Sequence, residues 1–527
     1  MSELSQPTQK LISRYQAWQQ SLLRKEGVAT VHVDEVAAKV AAFYEKIRGV
    51  IDWREEHLLR RAAIERILKR RMLLGQESKN LAQSFVLELI RAGYFPNDRI
   101  EEAKIEIVQK TLDKYLLIIQ NSAAPAEKLK VRLYGWIFGV AACEVEEILD
   151  PLRRERALID YMQEVMQEKI QVTPQIPELE KNTQISIAIQ RALFKLDKPI
   201  ITYHLLKEKY PQWHDLPPNL LAEVSQNIYS IWNNIEKELK HPLAEKFYRI
   251  CERYDTPYLI LGDILSADPG GANEKISKPE ILEGLVRKCY AARLNQVKSR
   301  IKRAAIYSTI SIFLTKILLA LAFEIPLDRF LTGKFSIQAT ALSVGLPPLL
   351  MFFLIATIRS PKKSNLEQVV LATMKIVFPV EKKEIYMLKI PESGGGLFKI
   401  IIPLFYLATF ILSFGFIWWA LDKLEFGIAA KIVFLLFLSL ISFAGVKLRE
   451  RSKELIVEPE KSGFLFFFLD SFSLPFIRIG RWLSGQWTKY NIVIITISAI
   501  IDMPLQLFTE FLEQWRNFLK EKKEDIH

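Results

Sequence analysis

AAIYSTISIFLTKILLALAF, residues 304–323, decides the fold. It is mainly apolar, and Lys316 is its single charged residue. A bilayer's hydrocarbon core of roughly 30 Å is crossed by about 20 such residues in a helix. Lipid offers backbone amides no partner, so a crossing segment has to satisfy them internally. Three more stretches pass the same test: SIQATALSVGLPPLLMFFLIATI (336–358), IIIPLFYLATFILSFGFIWWAL (400–421) and FGIAAKIVFLLFLSLISFAGV (426–446). The chain is read as an integral membrane protein with four spans in two hairpins, 304–358 and 400–446.

The flanks orient those hairpins. Lys298, Arg300, Lys302 and Arg303 precede the first span, and Arg359, Lys362 and Lys363 follow the second. Lys447, Arg449 and Arg451 follow the fourth. The two short inter-span loops are balanced instead, with Glu324, Asp328, Arg329 and Lys334 in one and Asp422, Lys423 and Glu425 in the other. Basic residues are retained on the cytoplasmic side. Both termini and the segment 359–399, which contains KKEIYMLKI as a candidate short strand, are therefore expected in the cytosol. The membrane would be the plasma (inner) membrane if the source is bacterial.

Upstream the composition changes. Residues 1–303 are charged and helix-patterned, and MSELSQPTQKLISRYQAWQQ lacks the basic and apolar regions of a secretory signal. Apolar residues recur at helical spacing from Val33 to Leu74, with Asp34 as a capping residue and Gly75 as a stop. Further helices are expected over 78–92, 98–121, 126–149, 152–170, 183–196, 199–209, 218–239, 242–254, 256–266 and 279–303. Proline-containing breaks fall at 93–97, 122–125 and 150–151. VTPQIPELEKN reads as a linker. The expected organisation is all-α: a cytosolic helical region 1–171, a linker 172–182, a second cytosolic helical region 183–303 leading into the membrane, the two hairpins around 359–399, and 447–527 as a linker with C-terminal helices.

The net charge of +12 suits anionic lipid and span flanks. No nucleic-acid motif accompanies it, so no specific nucleic acid is expected. Cys143, Cys251 and Cys289 are scattered, without a CxxC, and suit reduced thiols in a cytosolic domain.

Few residues carry candidate chemistry. In HLLRRAAIERILKRRMLL, the cations Arg60, Arg61, Lys69, Arg70 and Arg71 are candidate contacts to an anionic surface; the ordinary reading is a helix face packed in a bundle. His214-Asp215 is a lone His-Asp pair in a turn, and Glu238 with His241 is a single ExxH where a di-iron bundle needs two. PGGANEK lacks the ending of a phosphate loop, and no HExxH, GxSxG or kinase motif set is present. No enzyme activity, cofactor or metal is thereby indicated.

Lys316 is the sharpest residue of the membrane half. A charge at mid-span costs about 2.5–3.5 kcal/mol on insertion scales. Either it is paired inside the bundle or lines a polar path, or its long side chain snorkels to the outer headgroups. Lys431 lies near enough to its span's end for snorkelling. Pro347-Pro348 interrupts the second span and deprives backbone carbonyls of donors.

After residue 463 the apolar stretches gain a polar side. Asp470, Ser471, Ser473, Arg478, Arg481 and Ser484 share about half a helical wheel, and Asp502, Gln506, Glu510, Glu513, Asn517 and Lys520 form a stripe. Interfacial helices or a re-entrant pair fit this pattern, with Asp502 as a candidate functional residue; the alternative is a third full hairpin, which would place Arg481 and Lys489 outside, against the basic-inside bias. The expected function is a membrane-anchored interaction or scaffold protein, holding a protein partner through its cytosolic helices. The alternative is a small transporter or channel subunit, which four spans suit better as an oligomer, with Lys316 and the Pro347-Pro348 kink lining a path.

Overall fold

The computed structural model describes residues 3–23, 27–33, 56–73, 81–151, 153–332, 337–356, 358, 363–379, 384–389, 396–453, 455–457, 464–489, 511, 515, 518, 519 and 522. They are almost entirely helical, and four of the helices are long and apolar enough to cross a membrane. The chain divides into two compact units. One is built on Gln6–Asp255 with Lys382–Leu388, the other on Thr256–Glu381 and Lys389–Val493 with Met1–Ser5.

The first unit contains α1 (Gln6–Ser21), α2 (Glu56–Leu73), α3 (Leu81–Arg91), α4 (Ala103–Asn121), α5 (Glu127–Leu149), α6 (Arg153–Lys169), α7 (Glu178–Phe194), α8 (Lys198–Lys209), α9 (Pro218–Leu239) and α10 (Ala244–Arg253). At the centre is α5, whose run from Ile137 to Glu146 is buried without a break. A helix buried on all sides is a core helix. It packs on α2, α4 and α8. At Gly139 a Cβ would press on Pro199 at 3.1 Å, so this glycine permits the close approach of α8. Asp197 starts α8 by accepting the amide of Ile200, ahead of Pro199 in its first turn. Around this centre α1 lies on α6, α9 on α4, and α7 on both α6 and α10.

The region expected as a linker, 172–182, is not one. Strand β1 (Ile170–Thr173) buries Ile170 and Val172, and α7 begins at Glu178. The alternating apolar residues of IQVT escaped a reading tuned to helical spacing. Its partner is β2 (Tyr386–Lys389), in the KKEIYMLKI stretch between the hairpins. The candidate strand is thus present, and Tyr386 stacks on Tyr254 with ring centroids 4.5 Å apart. The Glu35–Trp53 part of the long predicted N-terminal helix lies outside the described residues.

The second unit begins within the polar sequence. It holds α11 (Asp255–Ala267), α12 (Ala272–Ile276), α13 (Pro279–Leu319), a π-helical turn Ala320–Glu324, α14 (Ile325–Thr332), α15 (Ile337–Ala356), α16 (Lys363–Val377), α17 (Gly396–Lys423), α18 (Ile428–Ser452) and α19 (Phe464–Lys489). From Pro279 to Phe330 the chain is one helical run of 52 residues, roughly 78 Å at the helical rise. Less than half of that is needed to cross a bilayer. The remainder, with Arg287 bonded to Glu367 at 2.8 Å and Arg293 paired with Asp263, belongs to the same compact unit as the spans. The boundary between units therefore falls near residue 255, upstream of the polar-to-apolar change at 303.

Polar ties order the two ends of this bundle. At one end Asn365 donates to the Tyr290 hydroxyl at 3.0 Å and the Leu455 carbonyl at 2.5 Å, and accepts from the Val457 amide at 2.9 Å. These residues flank the basic ends of the spans. At the other end Asp328 accepts from the Ala429 amide at 3.2 Å, capping α18 from outside. A Cβ at Gly427 would collide with that carboxylate. Both inter-span turns thus share one end of the bundle, and the basic flanks share the other.

The helix α18 is the hub, touching α13, α15, α17 and α19. That last contact departs from the interfacial reading. Ser413, midway along α17, donates to the Phe472 carbonyl at 3.0 Å. Phe476 meets Phe414 with centroids 4.4 Å apart. Gly480 lies so close to Ser439, midway along α18, that a Cβ would strike its backbone. The central part of α19 therefore packs against the middle of two apolar helices, α17 and α18. Its small and apolar side (Pro475, Phe476, Gly480) is buried, while Arg478 lies over the Tyr406 ring in the first half of α17. Asp502 and the stripe around it lie outside the described residues or carry too few described positions to trace.

Candidate functional site

Lys316 is fully buried, and its ammonium is paired with the carboxylate of Glu324. The second carboxylate oxygen accepts from the Ser343 hydroxyl at 3.0 Å, and the ammonium lies 5.5 Å from the Phe437 ring centroid. Lys316 reaches toward the turn end of the bundle, the direction snorkelling would take it. Its destination is a carboxylate inside the protein, not a headgroup. Lys431 repeats the arrangement near that same end, paired with Asp422 and lying 5.2 Å from the Trp418 ring centroid.

Glu324 was expected in a loop. It is instead the last residue of the π-turn and nearly inaccessible. The turn explains how it meets Lys316. In a regular α-helix residues eight apart point about 80° away from each other. One extra residue in a turn brings that offset to about 20°. The amide of Ile325 bonds back to the carbonyl of Ala320, the i→i−5 pattern that inserts this residue. Pro326, which would clash in a regular turn and has no amide to donate, follows at once. Sequence and ion pair thus support the same local geometry.

Pro347 and Pro348 both lie inside the continuous helix α15, which they do not break. They supply no amide to the carbonyls four residues back, those of Ser343 and Val344. One of these residues is the serine bonded to Glu324. The structure thus brings Lys316 and the proline pair into one neighbourhood and adds Glu324, Ser343 and Phe437. The legible signal for Glu324 was its place at the edge of an apolar run, two residues before Pro326.

No family model, no curated protein and no solved structure matches this chain. The reading of its sites therefore rests on their own geometry.

The five cations singled out in α2 are tied up within the first unit. Arg60 bonds Glu146 and Asp150, each at 2.7 Å. Arg61 is buried between Glu65 and Asp197, and Lys69 also reaches Glu65. Arg70 and Arg71 share Glu88, and Arg71 adds Ser84 at 2.8 Å. Glu65 lies on α2 itself, and the other acids face that helix from α3, from α5 and its C-terminal end, and from the start of α8. The packed-face reading of this helix fits these contacts, and a free basic surface does not.

A second internal ion pair was not anticipated. Glu144 of α5, with no accessible side-chain surface, accepts from Lys114 and the Tyr115 hydroxyl, each at 2.6 Å, and lies 3.2 Å from His214 Nδ1. Lys114 also donates to the Trp213 carbonyl at 2.7 Å. Burial pushes the Lys114 ammonium below its usual range although Glu144 opposes it, and burial with Glu144 drives the Tyr115 hydroxyl well above. Every member is satisfied, as a structural network requires. His214 of the His-Asp pair, itself exposed, thus reaches this network from the surface. Elsewhere His241 bonds Glu180 at 2.7 Å and Glu238 bonds Lys209 at 2.5 Å, so the ExxH pair splits between different partners. Among the described residues no group of three or more His, Cys, Asp or Glu side chains is arranged to hold a metal ion.

Proposed function

We propose that this protein is a membrane-anchored interaction protein. Its helical unit, Gln6–Asp255 with Lys382–Leu388, is the cytosolic module that engages a protein partner, and the span-bearing unit holds it to the membrane. The carrying observation is the β1–β2 pair. A strand from the segment between the two hairpins completes a sheet within the helical unit, so that unit is secured to the membrane chain at a second place besides its own C-terminal continuation. The lipid bilayer is the other partner, contacted by the exposed apolar sides of the spans, such as Ile310, Phe313, Leu314 and Leu321.

Two measurements test this reading. Single cysteines at Lys423 and Ser364, in a cysteine-free background, probe its sidedness. An impermeant thiol reagent added to intact cells should label the first and spare the second; labelling at position 364 rejects the scheme. Affinity capture of the detergent-solubilised protein, with and without residues 6–255, probes the module. A partner lost with that deletion supports the proposal, and a partner set unchanged by it overturns the proposal.

A further inference from the structure

We infer that the exposed side of α19 holds the headgroup of an anionic phospholipid, with Arg478 and Arg481 as the ligands of its phosphate. This goes beyond the anchoring role, and rests on that reading only in taking the span-bearing unit to stand in lipid.

Four residues share one stripe of this helix. Leu474, Arg478, Arg481 and Trp482 stand at i, i+4, i+7 and i+8, which confines them to about 100° of the helical wheel. All four are exposed, Leu474 at 44% and Trp482 at 62%. The other side of the helix carries Phe476 and Gly480, packed on α17 and α18.

The two guanidinium groups lack a counter-charge. Lys316 and Lys431, which also stand on apolar helices, each have a carboxylate, from Glu324 and Asp422. Among the described residues Arg478 and Arg481 pair with no carboxylate. What Arg478 has is a ring, with its guanidinium carbon 4.1 Å from the Tyr406 centroid. Stacking of this kind occupies a face of the guanidinium and leaves the N–H groups along its edge free to donate. That edge matches two phosphate oxygens at once. Arg481 is one turn further on, on the same side. A cation set against apolar helices is costly without an anion, and a lipid phosphate supplies one.

The neighbourhood selects an amphiphile over a soluble anion. Leu474 stands one turn before Arg478 and Trp482 one turn after it. Leu407, next to Tyr406, is 53% exposed. The leucines offer apolar surface to acyl chains, and an exposed tryptophan is favoured at headgroup level. Tyr406 is three residues into the apolar stretch Pro403–Lys423, about 5 Å from its start. The guanidinium therefore stands near one end of that span, where a headgroup can meet it. Two adjacent cations favour a lipid of net negative charge over a zwitterionic one.

The test uses the full chain, purified in a maltoside detergent. Phosphatidylglycerol with a fluorophore at the end of one acyl chain is the probe, and its anisotropy reads binding. Unlabelled phosphatidylglycerol, phosphatidylcholine and sodium phosphate compete in turn. The expected result is saturable binding, displaced by phosphatidylglycerol well below the concentration of phosphatidylcholine needed, and not displaced by sodium phosphate. Arg478→Gln should raise the dissociation constant about tenfold, the equivalent of losing one hydrogen bond to a charged group. Arg481→Gln should act in the same direction. Arg478→Lys, which keeps the charge and loses the planar fork, should fall between wild type and Arg478→Gln. Arg303→Gln, on the basic flank of the first span, should leave the affinity unchanged. Circular dichroism and gel filtration establish that each variant is folded, and if Arg478→Gln does not fold, Arg481→Gln decides alone. Absence of saturable binding overturns the inference, as does equal displacement by phosphatidylcholine. Displacement by sodium phosphate would make a soluble anion the ligand and overturn the lipid assignment. Unchanged affinity in a folded Arg478→Gln variant, or an equal loss in Arg303→Gln, would reduce the site to general attraction by basic flanks and overturn it too. Binding in micelles depends on neither sidedness nor a protein partner, so failure of the lipid site and failure of the anchoring role are read out separately.

Discussion

Two buried lysine–glutamate pairs solve one electrostatic problem in different ways. In the helical unit Glu144 is surrounded by donors, and Lys114 has a carbonyl as second acceptor. In the membrane unit Lys316 and Glu324 have each other, one serine and one ring face. A core built from helices that need not cross a bilayer can gather hydrogen-bonding groups from any of them without an insertion cost. A membrane helix that gathers polar groups pays for each one at insertion. The membrane pair is therefore sparse, and its geometry comes from backbone devices, a π-turn and three prolines, in place of many side chains.

That contrast can be broken by substitution. Lys316→Leu leaves the Glu324 carboxylate buried with Ser343, and water does not readily reach it. The expected loss is about 5 kcal/mol, the upper part of the range for orphaning a buried charge, measured as thermal stability of the detergent-solubilised chain. Adding Glu324→Leu should recover most of it. A neutral Lys316→Leu single variant would show that the pair contributes nothing to stability.

Glu144→Leu poses the same question in the helical unit. Here Lys114 keeps the Trp213 carbonyl, so the loss should lie nearer 3 kcal/mol. Urea unfolding of the intact chain reports it, and Lys114→Met in the same background should again restore stability. A loss larger than that of Lys316→Leu would reverse the comparison.

Gly480→Ala tests the packing of α19 against the middle of α18. Its Cβ has to displace the Ser439 backbone, and overpacking of this kind costs about 1–3 kcal/mol. Faster proteolysis within 464–489 would accompany it. Unaltered stability and protection would argue for an α19 lying away from the spans.

The smallest effect concerns His204, bonded to Gln190 at 2.6 Å. Burial lowers its pKa from 6.5 to about 3. The unfolded chain binds a proton there below about pH 6.5 and the folded chain does not. Stability is therefore full above that pH and declines as the pH falls toward 3. His204→Gln should reduce the acid-side slope of stability against pH by up to one proton; an identical slope would show that other groups carry it.

Much of the architecture was legible because it follows from short-range rules. Apolar length defined the four spans, proline and glycine marked the helix breaks, and the run of the last polar helix straight into the first span was visible in the helical pattern of residues 279–323, whereas its continuation to Phe330 was read as a loop. Lys316 stood out because a charge in an apolar run is conspicuous. Glu324 did not, since the π-turn that rotates it onto the lysine face is a backbone event with no side-chain period. Glu144 was hidden for the opposite reason. GVAACEVEEIL contains several acids, and only the packing of α4 and Trp213 against α5 selects which one is enclosed.

By itself, then, the sequence determined that this chain has a charged helical part and four apolar helices of membrane-crossing length, because periodicity and hydrophobic length act residue by residue. Tertiary structure decided where the charges go. It turned the basic face of α2 inward onto Glu88, Glu146 and Asp197, packed α19 against the middle of two apolar helices, and paired β1 with a strand more than two hundred residues away. A charge's cost depends on the medium and partners around it, and those are set by packing between segments distant in the chain.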